Sequence, residues 1–211
     1  GLGEQNQVRA ENISSDWQHF DVFINGAVYC HVDMGVMGRH NALNTLAAAA
    51  ASWMLGIPGE AVTRGVASFH GAGRRMEHKG TFNGAEVYDD YAHHPDELRA
   101  TIETARTMGA KRLVVAFQPH TYSRTKALFP DFVRELSKVD VLVLAEIYAA
   151  RERNDFGISS LDLAKEIPGA VYCQTLPDVT AYLRSHVQPG DLVLTIGAGD
   201  IFRAGEALLK V

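Results

Sequence analysis

The chain has 211 residues, of which 46% are hydrophobic and 21% charged, as is ordinary for a folded globular protein. The formal net charge is −5 and basic residues are interspersed with acidic ones, which argues against an extended nucleic-acid-binding surface. No apolar run approaches the roughly 20 residues that span a bilayer, and no secretory signal is visible, so we expect a cytoplasmic chain without a membrane partner.

The first third of the chain predicts a β-hairpin followed by two helices. An Asn-Gly dipeptide, which favours tight hairpin turns, lies between two β-rich runs, and apolar residues then recur with a helical period. A hairpin with two helices makes a thin domain, so we expect this region to be the tail of a larger one. The predicted elements are strands at 20–24 and 27–32 and helices at about 41–55 and 58–69.

The rest of the chain alternates strands with helices after a short linker candidate at 71–73. This alternation predicts an α/β fold with a mostly parallel sheet and helices on both faces. The apolar runs at 113–116 and 141–144 fit central strands buried on both sides. The predicted strands are 85–88, 112–117, 139–145, 170–173 and 191–196; the predicted helices are about 95–108, 123–137 (divided by Pro130, expected at a first helical position), 159–166, 177–186 and 200–210.

Polar side chains follow three of the predicted strands at the point where each strand ends. Ligands of α/β sheets bind beyond the carboxyl ends of the strands, so the three clusters together predict a ligand-binding edge. The clusters are Asp89, Asp90, His93 and His94; the segment 118–124 with His120 and Arg124; and Glu146, Tyr148, Arg151, Glu152 and Arg153.

The first cluster also has structural interpretations. Asp89 or Asp90 is suited to cap the helix that follows. A metal site formed by Asp90, His93 and His94 is a further alternative, although neighbouring histidines rarely reach one ion. These alternatives stay open from the residues alone.

Two other segments also have a functional and a structural interpretation. His120 and Arg124 lie four residues apart and either neutralise an anion together or are solvated side chains of a helical turn. The glycine-rich turn at 197–200 begins like a dinucleotide-binding fingerprint, but Phe202 stands where the third glycine would be. We therefore expect a tight turn there and not a pyrophosphate site.

Taken together, four segments carry a resemblance to a known family. Residues 38–44 (GRHNALN), 73–77 (GRRME) and 89–95 (DDYAHHP) resemble the ATP-dependent Mur ligases of peptidoglycan synthesis. The segment 117–125 (FQPHTYSRT) narrows the resemblance to members that join L-alanine to UDP-N-acetylmuramate with hydrolysis of ATP. The resemblance covers nearly the whole chain in the family's order.

The resemblance implies a domain organisation and a reaction. Residues 1–72 would be the last part of the central ATP-binding domain, and residues 73–211 the Rossmann-like C-terminal domain. The implied ligands are ATP, Mg²⁺, L-alanine and UDP-N-acetylmuramate, and the implied reaction passes through an acyl phosphate. The main Mg²⁺ ligands and the phosphate loop are expected outside this chain, so the chain alone is predicted to be inactive.

The resemblance also implies roles for particular residues. Those near the adenine or the rest of the nucleotide are Asn41, Asn44, Arg75 and Asp90. Those lining the amino-acid and product side, and hence the catalytic candidates, are His93, His120 and Arg124. Thr121 departs from the family, because many members carry arginine there.

Two other functions remain open. The recycling ligase that attaches a tripeptide to UDP-N-acetylmuramate shares the 89–95 type of segment, but the Phe-Gln-Pro-His sequence at 117–120 argues against it. A Rossmann-like binding domain without catalysis of its own is the alternative from another class.

Overall fold

In the computed structural model, which describes residues 1–210, the chain divides between Gly71 and Ala72 into two units. The division falls within the linker candidate at 71–73. No helix in the described part of the chain combines the length and the apolar character needed to cross a membrane.

The first unit is a three-stranded antiparallel sheet with two helices, and its strand order follows the chain. The predicted hairpin is present. Its turn residues Asn25 and Gly26 have φ values of 52° and 83°, as a tight type I′ turn requires. The elements are β1 (Val8–Glu11), β2 (His19–Ile24), β3 (Ala27–Asp33), α1 (Arg39–Met54) and α2 (Gly59–Ala67).

The second unit is a six-stranded sheet flanked by helices, and only β4 runs antiparallel to its neighbour. The strand order is β4-β5-β9-β6-β7-β8, so the last strand of the chain lies between β5 and β6. The elements are β4 (Glu77–Phe82), β5 (Ala85–Asp90), α3 (Pro95–Thr107), β6 (Arg112–Phe117), α4 (Tyr122–Ala127), α5 (Phe129–Leu136), β7 (Val141–Ala145), α6 (Ser160–Glu166), β8 (Val171–Cys173), α7 (Leu176–His186), β9 (Asp191–Ile196) and α8 (Phe202–Leu209).

Alternate residues of the central strand β6 enter two separate cores. Leu113, Val115 and Phe117 pack with apolar residues of α3, α5 and α6 on one face of the sheet. Val114 and Ala116 pack with residues of α7 and α8 on the other. The predicted mostly parallel α/β fold with helices on both faces is confirmed.

Several details differ from the sequence-based prediction. The strands β1 and β4 were not predicted, because they are short or polar. The predicted helix at 123–137 is two helices, and Pro130 is the second residue of α5 instead of the first. The last helix begins at Phe202, because residues 197–200 form a turn.

Candidate active site

The predicted polar clusters lie at one edge of the second unit's sheet, which we call the carboxyl edge. Strands β5, β9, β6 and β7 are parallel neighbours, so their carboxyl ends point the same way. Since β9 lies between β5 and β6, its following turn separates the first two clusters. The carboxyl edge is formed by residues 89–94, 197–200, 118–124 and 146–153.

Asp90 ends β5 and is 3% exposed. Its carboxylate accepts hydrogen bonds from the backbone N–H of Ala92 and of Met76, both at 2.8 Å, and from the Thr101 hydroxyl at 3.1 Å. Burial raises the pKa of Asp90 above its ordinary value, and the three hydrogen bonds oppose that shift. Both carboxylate oxygens are engaged within the protein, and the nucleotide contact of Asp90 stays a prediction.

Helix α3 is capped by His94 and Glu97, so a cap formed by Asp89 or Asp90 is wrong. His94 Nδ1 accepts a hydrogen bond from the backbone N–H of Asp96 at 3.3 Å, and Glu97 Oε2 accepts one from the backbone N–H of His94 at 3.2 Å. This reciprocal arrangement is a capping box. Both aspartates instead lie buried at the end of β5, and their oxygens accept hydrogen bonds from groups outside the first turn of α3.

His93 contacts two hydrogen-bond acceptors through one ring nitrogen. Its Nδ1 lies 3.0 Å from the Tyr91 carbonyl oxygen and 3.3 Å from Glu97 Oε2. Because neither partner donates, we assign the proton of the neutral ring to Nδ1, which leaves a lone pair on Nε2. The ring centroid lies 6.0 Å from that of His120. His93 can therefore accept a proton next to the second imidazole.

His120 and Arg124 contact each other although α4 begins only at Tyr122. Arg124 Nη1 lies 3.4 Å from both His120 Nδ1 and the His120 carbonyl oxygen. A guanidinium only donates hydrogen bonds, so we assign the lone pair to His120 Nδ1 and the proton to Nε2. The imidazole stacks on Tyr148 with ring centroids 5.6 Å apart. The arrangement gives a fixed cation beside a neutral donor.

Protonation of His120 is expected to oppose folding. Burial lowers the pKa of His120 below its ordinary value, and the charges of Arg124 and His93 lower it further, while Glu152 acts in the opposite direction. Between the folded pKa and the unfolded value of about 6.5, the folded state binds fewer protons, so stability is lost as the pH falls. We expect the melting temperature to fall more from about pH 7.5 to about pH 5.5 in the chain than in a His120→Gln variant. Equal losses in thermal unfolding would contradict this.

Gln118 joins the end of β6 to the turn at 197–200. Its Oε1 accepts hydrogen bonds from the backbone N–H of Asp200 at 3.0 Å and of Ile201 at 3.1 Å, and its Nε2 donates to Asp200 Oδ1 at 3.0 Å. A Cβ at Gly199 would overlap Gln118 Oε1. The amides at the end of the turn, those of Asp200 and Ile201, are thus bonded to a side chain of the protein, and the segment is the tight turn that the sequence predicts.

The third predicted cluster separates into anchoring and exposed residues. Glu146 Oε2 accepts a hydrogen bond from the Tyr172 hydroxyl at 2.6 Å. Glu152 accepts hydrogen bonds from the Ser123 hydroxyl at 2.5 Å and the Ser123 N–H at 2.9 Å, which hold the pKa of Glu152 below its ordinary value. Both glutamates thus anchor neighbouring segments. The exposed members are Tyr148, Arg151 and Arg153.

The two consecutive arginines before β4 have different environments. Arg75, the predicted nucleotide contact, is exposed, and its Cζ lies 5.9 Å from the centre of the Tyr91 ring. Arg74 was not singled out from the sequence, and its Nε donates to Asp89 Oδ2 at 2.7 Å. Asp89 is 1% exposed. Nothing in the sequence distinguishes the half-buried arginine from the exposed one.

Asn41 and Asn44 lie on α1 of the first unit. Asn41 Nδ2 donates to the Met37 carbonyl oxygen at 2.7 Å, and Asn44 is exposed. Their contact with a nucleotide stays a prediction.

Among residues 1–210, no three His, Cys, Asp or Glu side chains are grouped closely enough to hold a metal ion. The alternative metal site of Asp90, His93 and His94 is therefore wrong for this part of the chain.

A family model described as the Mur ligase, glutamate ligase domain matches residues 74–199. Among curated proteins, the UDP-N-acetylmuramate–L-alanine ligase of Lachnospira eligens is 49% identical over 195 residues, covering 90% of this chain and 42% of that protein. The ligase of the same name from Caldanaerobacter subterraneus is 39% identical over 217 residues, covering all of this chain and 47% of that protein.

Among solved structures, the UDP-N-acetylmuramate–alanine ligase from Thermotoga maritima matches with a TM-score of 0.80 and 27% identity. The match covers 99% of this chain and 46% of that protein. This chain thus spans about half the length of the relatives that it matches.

Proposed function

The chain belongs to the Mur ligase family, and from this premise we propose that it carries the second half of an ATP-dependent ligase that joins L-alanine to UDP-N-acetylmuramate. The identity to curated ligases of that name, 39% and 49% over most of the chain, supports this substrate assignment. The product would be UDP-N-acetylmuramoyl-L-alanine, a precursor of peptidoglycan made in the cytoplasm.

The proposed reaction has two chemical steps. A carboxylate oxygen of UDP-N-acetylmuramate attacks the γ-phosphorus of ATP, so that an acyl phosphate forms and ADP leaves. The alanine amine then attacks the acyl carbon, and the tetrahedral intermediate loses inorganic phosphate and a proton to give the amide. Charge builds on the phosphoryl oxygens and on the tetrahedral oxygen, where positioned cations stabilise it.

The juxtaposition of His93, His120 and Arg124 at the carboxyl edge is the observation that carries the proposal. The Arg124 guanidinium suits the carboxylate of alanine, and the Nε2–H of His120 supplies a second donor. His93 Nε2 has a free lone pair in the assigned tautomer, so it would orient the amine or accept its proton. The two histidines come from strands that are not neighbours, which argues for a site and against coincidental surface polarity.

The nucleotide would be bound by four further residues. Arg75 is exposed and suits an anionic oxygen, while Asp90 fixes the backbone next to Arg75 through the Met76 N–H. We propose Asn41 and Asn44 as additional contacts of the ATP. Mg²⁺ would neutralise charge on the phosphates, and we place its main ligands outside this chain.

Helix α1 supports the proposal that residues 1–72 belong to a larger ATP-binding domain. In the second half of the helix, 46–54, the buried residues are small or apolar and the exposed residues are apolar as well. A helical segment that is apolar on all sides is normally covered on all sides. The exposed apolar residues of α1 are Ala47, Ala48, Ala51, Trp53 and Met54.

A chimera tests the proposal directly. The amino-terminal half of the Lachnospira eligens ligase is joined to this chain, with the parent ligase as the control. We expect ADP formation that requires both UDP-N-acetylmuramate and L-alanine. The 211-residue chain alone is expected to release no phosphate in the same assay, because it contains no Gly-x-x-x-x-Gly-Lys-Ser/Thr loop.

The acceptor decides between the alternatives. A cooperatively melting chimera that uses a tripeptide in place of L-alanine would point to the recycling ligase. A cooperatively melting chimera that turns over neither acceptor would point to a binding domain without catalysis. Either result would refute the proposed substrate.

A further inference from the structure

The Arg74 guanidinium makes three hydrogen bonds with two parts of the second unit. Its Nε donates to Asp89 Oδ2 at 2.7 Å, its Nη2 to the Gly197 carbonyl oxygen at 2.6 Å and its Nη1 to the Gly199 carbonyl oxygen at 3.2 Å. Asp89 in turn accepts from the Thr195 hydroxyl at 2.7 Å. The start of the second unit is thereby fixed to β5, to β9 and to the turn after β9.

Two aromatic rings complete the environment of the Arg74 guanidinium. Its Cζ lies 5.0 Å from the centre of the Tyr91 ring and 4.6 Å from that of Phe202. Both distances are within the range of cation–π attraction. The planar group is thus held by rings as well as by hydrogen bonds, an arrangement that a lysine ammonium cannot reproduce.

The backbone on both sides of Arg75 has an unusual conformation. Arg74 and Met76 have φ values of 59° and 46°, in the left-handed region that non-glycine residues seldom adopt. The Arg74 carbonyl oxygen accepts from the Tyr91 N–H at 2.7 Å, and the Met76 N–H donates to Asp90 Oδ2 at 2.8 Å. Strained backbone of this kind persists only where surrounding contacts hold it.

Between these two anchored residues, Arg75 is exposed and donates no hydrogen bond to any residue in the range 1–210. Burial raises the pKa of Asp90, and the nearby Arg75 charge is among the contacts that oppose this shift. In the conformation of 74–76, the half-buried Arg74 side chain contacts the protein and the next side chain, that of Arg75, is exposed to solvent.

We propose that Arg74 is a positioning residue. It holds residues 74–76 in the conformation that places the Arg75 guanidinium at the carboxyl edge, where it binds a phosphate oxygen of the nucleotide. The nature of the group bound by Arg75 rests on the proposed function. The positioning itself rests on the contacts of Arg74 alone.

A second ion pair in the chain serves as a control, because it tests whether Arg74 contributes to stability alone. Arg112 donates to Asp191 at 2.8 and 2.6 Å and to the His186 carbonyl oxygen at 3.1 Å. Asp191 is also buried, and it lies at the opposite end of β9 from the carboxyl edge. Arg112→Lys therefore perturbs a comparable ion pair away from Arg75.

The first test is amide hydrogen exchange of the 211-residue chain. In Arg74→Lys we expect exchange at the Tyr91 and Met76 amides to rise at least about tenfold relative to the amides of β7, which contains neither substituted residue. In Arg112→Lys we expect no such selective rise. Equal, uniform acceleration in the two variants would overturn the proposal. If Arg74→Lys fails to fold, Phe202→Leu removes one ring without removing the charge, and the same selective rise is expected.

The second test measures the Michaelis constant for ATP in the active chimera. We expect Arg75→Ala and Arg74→Lys each to raise it about tenfold, as when a charge-assisted hydrogen bond is lost, and Arg112→Lys to leave it unchanged. The double variant Arg74→Lys/Arg75→Ala should have the same Michaelis constant for ATP as Arg75→Ala.

The outcomes separate the two proposals. An unchanged constant in Arg75→Ala would refute the nucleotide contact, while a selective rise in amide exchange would still support the positioning. A raised constant in Arg75→Ala with normal values in Arg74→Lys would overturn the positioning role alone.

Discussion

Replacing Arg124 with alanine is expected to lower turnover of the chimera at least about a hundredfold, the loss typical of a contact made in the transition state. The Arg124 guanidinium is the only cation within hydrogen-bonding distance of His120 among residues 1–210, at 3.4 Å from Nδ1. Its loss removes the proposed partner of the alanine carboxylate and the donor that fixes the tautomer of His120. The measurement is ADP release at saturating ATP and UDP-N-acetylmuramate over a range of L-alanine concentrations.

Two variants make this result specific. Lys126 is an exposed cation two residues along the same helix, and Lys126→Ala should leave turnover near its original value. Arg124→Lys keeps the charge but loses the forked geometry, so we expect partial recovery. Turnover of Arg124→Ala within about threefold of the parent would refute the assignment, since threefold corresponds to well under 1 kcal/mol of transition-state stabilisation.

The sequence predicts the central strands of the second unit because their apolar runs have few other interpretations. The alternation of strands with helices follows from the positions of these runs. Strands buried on both faces must be apolar throughout, as 113–117 is. Strand β4 has the sequence Glu-His-Lys-Gly-Thr-Phe and lies at the edge of the sheet. It is a strand because it forms hydrogen bonds with β5, and its sequence has no alternating hydrophobic pattern. An edge strand of that composition leaves no pattern to detect.

The carboxyl edge was predictable in its members but not in its internal order. Polar residues after successive strands indicate that His93 and His120 share an edge, and they do. That β9 lies between their strands depends on long-range pairing. The different roles of Arg74 and Arg75 depend on backbone angles that flank Arg75, which no single-sequence pattern specifies.

Replacing Asp89 with alanine is expected to destabilise the second unit by about 3–5 kcal/mol, the range for removing one partner of a buried ion pair. The Asp89 side chain is 2% exposed and that of Arg74 is 23% exposed. The substitution leaves the guanidinium without its carboxylate and the Thr195 hydroxyl without its acceptor. Urea unfolding followed by circular dichroism measures the loss. Trp17 and Trp53, both in the first unit, report that unit separately by fluorescence.

The controls separate burial of charge from loss of an ion pair as such. Asp131 pairs with Arg134 at 2.6 Å on the surface, and Asp131→Ala should cost at most about 1 kcal/mol. Asp89→Leu combined with Arg74→Met replaces the buried pair with apolar groups and should be more stable than Asp89→Ala, because no uncompensated charge remains. We expect the double variant still to lose the conformation of residues 74–76. Restored stability together with fast exchange of the Tyr91 amide would therefore show that the ion pair stabilises the fold and that Arg74 separately positions Arg75. A cost below about 1 kcal/mol for Asp89→Ala would show that the pair is not shielded from water in solution.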